Sequence, residues 1–389
     1  MESNDQQSNS CNDVKSLDNL DIDFHETIRG QTPEDIKEQC LQVCQDYIAG
    51  DWIKQTVETI EVTRITGGVT NQLYKCAINE SDANPTVPNV VAVRIYGSKW
   101  SKSNVYDGNE RLSDIIISMM VSERKLGPKL LGVFNGGEIS VFHNHRQFKL
   151  EEQKNAKLVE ELFRKIARIH AMDVPLIKKH WVFDEIDGNY QKVMNQSSIP
   201  QLIDQLNCET LKTVDISDEI NWLKEKVIEI GSPMVFSHND LLSSNIMVLE
   251  DNDNHNSEEQ ILICDYEYGC YGYRGSDLGS IISEWGRLWS DFKVDHNLID
   301  DSIINQLLGY YIDENIKIFG INYSENPINS MNQLVKEVKL FVLIGKICLI
   351  LFCLRIDEHS DDMPNETVFL QLAERTYKNY LRLKTTIDL

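Results

Sequence analysis

From Val57 onward the chain runs through β-rich segments, VETIEVTRI, LYKCAI (Leu73 to Ile78) and VVAVRIY (Val90 to Tyr96), with a glycine turn at Gly67-Gly68 between the first two. A helix-length stretch follows from Glu110 to Lys125. Two short strands, LLGVF and EISVF, are then separated by the turn Asn135-Gly136-Gly137. Beyond about Asn144 the period changes: Leu158, Leu162, Ile166 and Ile169 fall on one helical face at spacings of four, four and three. Two short apolar strands, Ile246 to Leu249 and Ile261 to Cys264, interrupt this helical half. They are joined by the polar loop Glu250 to Gln260. The pattern predicts an α+β chain with a small β-rich first lobe over residues 35–143 and a larger, mainly helical second lobe over 144–389. Residues 1–34 are polar, acidic and aperiodic, and predict a disordered tail running into a helix over Pro33 to Ile48.

Composition narrows the partners. The chain has 389 residues, 41% of them hydrophobic, enough for one large or two medium cores. Its formal charge of −23 disfavours a nucleic-acid partner, which would call for clustered Lys and Arg. A negative field favours small cations, but it also serves solubility alone. Nine scattered cysteines, with no zinc-type C-x-x-C pair, read as a reduced cytoplasmic chain. The opening MESNDQQSNSCNDVKSLDN has neither the basic start nor the apolar core of a secretory signal. The apolar run Leu340 to Ile356 carries Lys346 in its middle and is short for a bilayer span, so a buried C-terminal helix is expected and no integral membrane association.

The candidate chemistry lies around the two short strands of the second half. If they pair as an antiparallel hairpin, Asn245, just before the first, lies beside Asp265, just after the second. Two oxygen ligands at one point suit Mg2+, which completes its shell with water and nucleotide phosphates. Asp240, five residues before Asn245 on a loop leaving MVFSH, is placed to accept the proton of an attacking hydroxyl, as phosphoryl transfer from ATP requires. Each residue alone would be an ordinary turn or cap residue; the combination carries the argument. No G-x-x-x-x-G-K-[ST] phosphate loop is present, which disfavours the P-loop class. The Gly67-Gly68 pair gives a backbone room to approach phosphates, but such a pair is also a common hairpin turn.

The segment SHNDLLSSNIMVL…ILICDYE resembles the catalytic and metal-binding segments of the kinase-like phosphotransferase superfamily. ITGGVTNQLYKC, VVAVRIYG, ERKLGPKLLGVFNGG and, most specifically, CDYEYGCYGYRGSDLGSIISEWGRLW are similar to the choline/ethanolamine kinase family, from about Ile60 to Trp289 and more faintly beyond. The resemblance implies a bilobal protein-kinase-like fold and transfer of the ATP γ-phosphate to a small amino alcohol, ethanolamine or choline. Carried onto this sequence, it implies Asp240 as base and Asn245 and Asp265 as magnesium ligands. Arg94 would touch the nucleotide phosphates, Gly67 and Gly68 would lie in the nucleotide loop, and Asp114 stands where the family uses a Glu as charge partner. Asp277 would brace the catalytic loop, with direct substrate contact as the alternative. His238 would hold that loop by hydrogen bonds. A homodimer is in keeping with the family.

For the acceptor, the resemblance implies Glu284 as the pocket carboxylate and Trp289 as a pocket aromatic. The alternative for the tryptophans is an ordinary helix, with Trp285 and Trp289 packed into the core at i, i+4. Leu349 and Phe352 stand where the family supplies two tryptophans to an ammonium cage, and Gly279-Ser280-Ile281 replaces a Gly-Asn-His stretch. Leu241-Leu242 resembles ethanolamine kinases, whereas Tyr273-Arg274-Gly275 looks more like choline kinases. The expectation is an ethanolamine kinase supplying phosphoethanolamine for phosphatidylethanolamine synthesis, because a primary ammonium donates hydrogen bonds and depends less on aromatic faces. The alternatives are a choline or other small-alcohol (aminoglycoside-type) kinase, and a nucleotide-binding pseudoenzyme acting as a partner subunit. The retention of Asp240, Asn245 and Asp265 argues against the pseudoenzyme.

Overall fold

A computed structural model describes residues 30–66, 70–78, 87–97, 110–250, 259–287, 294–356 and 366–388. Gly67, Gly68 and Trp289, and most of the acidic tail, lie outside the described residues.

Helix α1 (Ile36–Tyr47) precedes three strands, β1 (Ile60–Ile65), β2 (Gln72–Ile78) and β3 (Val90–Ile95). Helix α2 (Glu110–Glu123) and the strands β4 (Leu130–Phe134) and β5 (Gly137–Val141) complete the first lobe. The five strands form one antiparallel sheet in the order β1-β2-β3-β5-β4. Alternation along β2 buries Tyr74, Cys76 and Ile78. Their apolar neighbours include Cys40 and Cys44 of α1, four residues apart on one helix face, and Trp52. Helix α2 belongs elsewhere: Ile117 and Val121 are part of the second lobe's core.

The second lobe opens with a short strand, β6 (His145–Gln147), followed by α3 (Ala156–His170), α4 (Val182–Met194), α5 (Ile199–Gln205), α6 (Glu209–Thr213) and α7 (Ile216–Ile230). Asn155 and Asp215 cap α3 and α7 through side-chain oxygens that accept from backbone N–H groups, and Gly231 closes α7 in the left-handed conformation. Strands β7 (Met234–Ser237), β8 (Ile246–Leu249), β9 (Ile261–Ile263) and β10 (Cys270–Tyr273) follow. β8 pairs antiparallel with β9 and with β6, and β7 pairs with β10. The remaining helices are α8 (Gly275–Ser283), α9 (Asp301–Phe319), α10 (Asn322–Glu325), α11 (Met331–Leu354) and α12 (Glu366–Thr386).

The apolar run around Lys346 lies within α11, which crosses the centre of this lobe. Two glycines of α8 let it approach α11 closely: a Cβ on Gly275 or Gly279 would stand 2.3 or 2.8 Å from Phe341. Beside them the buried Arg274 guanidinium meets Glu337 of α11 at 2.6 Å. Among the described residues no helix is long and apolar enough to cross a membrane.

Candidate active site

The loop from His238 to Asn245 leaves β7 and enters β8, while Asp265 follows β9. Register pairs Ile246 with Ile263, so the hairpin brings its two open ends together; Cys264 N–H donates to Asn245 O at 2.9 Å. Asp265 itself adopts a left-handed backbone (φ 63°), which turns the chain sharply out of β9.

Asn245 Nδ2 donates to the Asp240 carbonyl at 2.8 Å and to Asp240 Oδ2 at 3.0 Å. This fixes which way the amide is turned and commits its nitrogen to Asp240, so the amide oxygen is the atom that remains to act as a ligand. Burial pushes the Asp240 carboxyl above its ordinary value, and the nearby Asp265 and Asp277 charges add to the shift against the Asn245 bond.

Arg94 of β3 reaches across from the first lobe to Asp265 Oδ1 at 3.0 Å. Burial works against its charge, but the carboxylates of Asp265, Glu138 and Glu267 more than offset this. Asp114 pairs with Arg111 on its own helix at 2.9 Å. Arg111 lies over the Tyr96 ring and also bonds Gly97 O. A second inter-lobe link joins Asn71, just before β2, to Glu267 Oε2 at 3.3 Å.

Asp277 at the start of α8 accepts from two amides of the β7–β8 loop, His238 N–H and Asn239 N–H, both at 2.7 Å. Its burial alone would raise the carboxyl, but His170 and the His238 amide hold it below its ordinary value. His238 is fully buried; its Nε2 donates to Cys264 O at 2.8 Å and its Nδ1 accepts from Asp240 N–H at 3.2 Å. Both ring nitrogens are therefore engaged with backbone.

Glu284, at the end of α8, is 4% exposed and accepts from Ser243 N–H at 2.8 Å, which puts its carboxylate against the β7–β8 loop. Burial raises its carboxyl, and the Asp240 charge adds to the shift. Trp285 faces the other way, packed against Phe148 and Phe163 at 6.0 and 5.9 Å. For this tryptophan the core alternative holds. On α11, Leu349 and Phe352 are half-buried, with Phe352 edge-on to Phe369 at 6.0 Å.

Asn239 was not singled out from sequence. It takes a left-handed backbone (φ 64°), and its Nδ2 donates to Ser237 O, Tyr268 O and Cys270 O. It thereby ties the β7–β8 loop to the segment after Asp265. Asparagine is among the few residues that adopt this backbone readily, so its position between His238 and Asp240 was the available signal.

The family model described as Choline/ethanolamine kinase matches residues 62–381. The chain belongs to the choline/ethanolamine kinase family. A human choline/ethanolamine kinase is 30% identical over 256 residues, 64% of this chain and 61% of the human protein. A probable ethanolamine kinase of Arabidopsis thaliana is 30% identical over 254 residues, 65% of this chain and 64% of its own length. The matched region thus spans less than two thirds of these relatives. Caenorhabditis elegans choline kinase B1 matches over a longer stretch, 375 residues at 26% identity, or 89% of this chain and 94% of that protein. Among solved structures, a choline kinase from Cryptosporidium parvum superposes with a TM-score of 0.65 at 19% identity, covering 90% of this chain and 95% of its own. A Plasmodium vivax ethanolamine kinase gives 0.63 at 19% identity, covering 92% and 91%. The fold is the bilobal, protein-kinase-like one.

Proposed function

We propose that this chain is an ATP- and magnesium-dependent amino-alcohol kinase that favours ethanolamine over choline and yields ADP and phosphoethanolamine for phosphatidylethanolamine synthesis. The observation that carries the reading is the buried Glu284 carboxylate held against the Asp240 loop; Leu349 and Phe352 of α11, both half-buried, stand where the family resemblance implies tryptophans. A carboxylate offers about four acceptor positions, of which the Ser243 N–H and hydroxyl take two. A primary ammonium can donate to the others, whereas a quaternary ammonium cannot and would depend on aromatic faces. The Tyr273-Arg274-Gly275 segment, which looks like choline kinases, is accounted for by packing: Arg274 pairs with Glu337 and Gly275 lies against Phe341.

The residues fit a nucleotide and its metal. Asp265 and the Asn245 amide oxygen would hold Mg2+, whose charge neutralises the phosphates. Thr70, beside the Gly67-Gly68 segment, is 4% exposed, and its hydroxyl has no hydrogen-bond partner among the described residues, as suits a phosphate oxygen nearby. Arg94 would share its charge between Asp265 and the phosphates. Asp240 accepts the acceptor's hydroxyl proton as that oxygen attacks the γ-phosphorus. The eight cysteines among the described residues are free thiols, in keeping with a reducing cytoplasm.

Acceptor-dependent ADP release, measured with ethanolamine, with choline and without acceptor, tests the reading. A higher kcat/KM for ethanolamine is expected. Glu284→Gln should then raise the ethanolamine KM by about tenfold or more, since hydrogen bonds to charged groups contribute about 1.5–3 kcal/mol. Preference for choline would overturn the assignment of the acceptor.

A further inference from the structure

Asp277 is 1% exposed and accepts from three donors, of which two are the His238 and Asn239 amides. The third is the His170 side chain at the C-terminal end of α3, whose Nε2 stands 3.2 Å from Asp277 Oδ2. An ionised carboxylate can only accept, so the His170 tautomer that meets it carries its proton on Nε2. The other ring nitrogen, Nδ1, is bonded to the Tyr311 hydroxyl of α9 at 2.9 Å, and the two rings meet edge-on with centroids 5.5 Å apart. His170 is 6% and Tyr311 1% exposed. Three helices thus converge on one buried chain, running from Tyr311 through His170 and Asp277 to the two amides immediately before Asp240.

We infer that His170 and Tyr311 are positioning residues for phosphoryl transfer. They touch neither acceptor nor nucleotide, and act by fixing the Asp277 carboxylate. Two features of the loop make that fixing consequential. Asn239 turns the chain through a left-handed backbone, which asparagine adopts readily, and its amide bond to Asp277 fixes where that turn lies. A carboxylate buried this deeply also needs its full set of donors, and losing the His170 bond would turn it away from the amides or draw water in. Either change shifts Asp240, the next residue, relative to the hydroxyl it serves. The Tyr311 hydroxyl also meets Tyr323, but it reaches the loop amides only through His170 and Asp277, so an effect confined to His238 and Asn239 marks that route.

The inference rests on the kinase reading for its kinetic consequence but not for its structural one, so the test has two arms. Tyr311→Phe keeps the ring and removes the hydroxyl. It is expected to speed amide hydrogen exchange at His238 and Asn239 while the β8 and β9 amides exchange as in the wild type. In the kinetic arm it is expected to lower kcat about tenfold, with KM for ATP and acceptor within about twofold, because misplacement affects the reacting geometry and not binding. His170→Leu is expected to lose about a hundredfold in kcat, and His170→Gln, which restores a donor towards Asp277, to recover about tenfold of that. Should His170→Leu fail to fold, Tyr311→Phe and His170→Gln carry the comparison. Loop exchange and kcat at wild-type values in Tyr311→Phe would overturn the inference, as would exchange accelerated evenly through the lobe. If the wild type itself turned over neither amine, the kinase reading would fail, and the exchange arm alone would decide this one.

Discussion

Burial raises the Asp240 carboxyl above its ordinary value, and a base works only when ionised. In the metal-free protein its proton should therefore come off above the range of a free aspartate, and Mg2+ held by Asn245 and Asp265 should draw that point down; carboxyl NMR against pH, without and with Mg2+, measures both. Asp240→Asn should cost about 10²–10⁴-fold in kcat while Mg-ATP binding, followed by calorimetry, stays within a few-fold, because it removes a proton acceptor and none of the proposed metal ligands. Asp277 is shifted the other way. Its folded-state value is depressed, so its contribution to stability is present above the unfolded value and is lost as pH falls through the folded one. That Asp240, Asn245 and Asp265 come together was readable from their spacing about the two short strands. Asn239, His170 and Tyr311 were not, because their work lies in backbone geometry and in contacts between residues more than 100 positions apart.

Helix α11 buries apolar residues on almost every side, which its sequence signalled by an unbroken apolar run. Lys346 stands in the middle of that run. Burial, with the Arg287 and Arg382 charges nearby, lowers its ammonium from 10.5 to about 7. The folded state therefore disfavours its charge, and between about pH 7 and 10.5 the unfolded chain binds the extra proton, so stability rises with pH across that window. Lys346→Met is expected to raise Tm by about 2 °C or more at pH 7, with the gain shrinking towards pH 10.5. Thermal unfolding of the two proteins at both pH values checks this. The five strands of the first sheet and the β8–β9 hairpin were readable as apolar segments bounded by turn residues. β6, with the residues His145, Arg146 and Gln147, and β10, with Gly272 inside it, were not. Such short strands are defined by the partner they pair with, more than by their own pattern.

Across the whole molecule, the two lobes meet at the proposed reaction centre. Arg94 to Asp265 and Asn71 to Glu267 are both bonds from the first lobe to the segment after β9, and Ile117 and Val121 of α2 sit in the second lobe's core. A nucleotide held between the lobes would compete for the Arg94 charge, so Arg94→Ala should raise the ATP KM about tenfold or more and leave the acceptor KM within about twofold. Equal effects on both would place Arg94 in general lobe packing. That the chain is bilobal could be read from the change of period near Asn144, but the arrangement of the lobes could not, because the contacts joining them link residues nearly 200 positions apart.

The central claim is transfer of the γ-phosphate of ATP to an amino-alcohol hydroxyl by the centre around Asp240. The most direct measurement is phosphorus NMR of a reaction containing Mg-ATP and ethanolamine, beside one containing the Asp240→Asn protein. A phosphoethanolamine resonance should grow in step with ADP in the first and not in the second. ADP accumulating with inorganic phosphate alone, or phosphoethanolamine forming equally fast with Asp240→Asn, would contradict it.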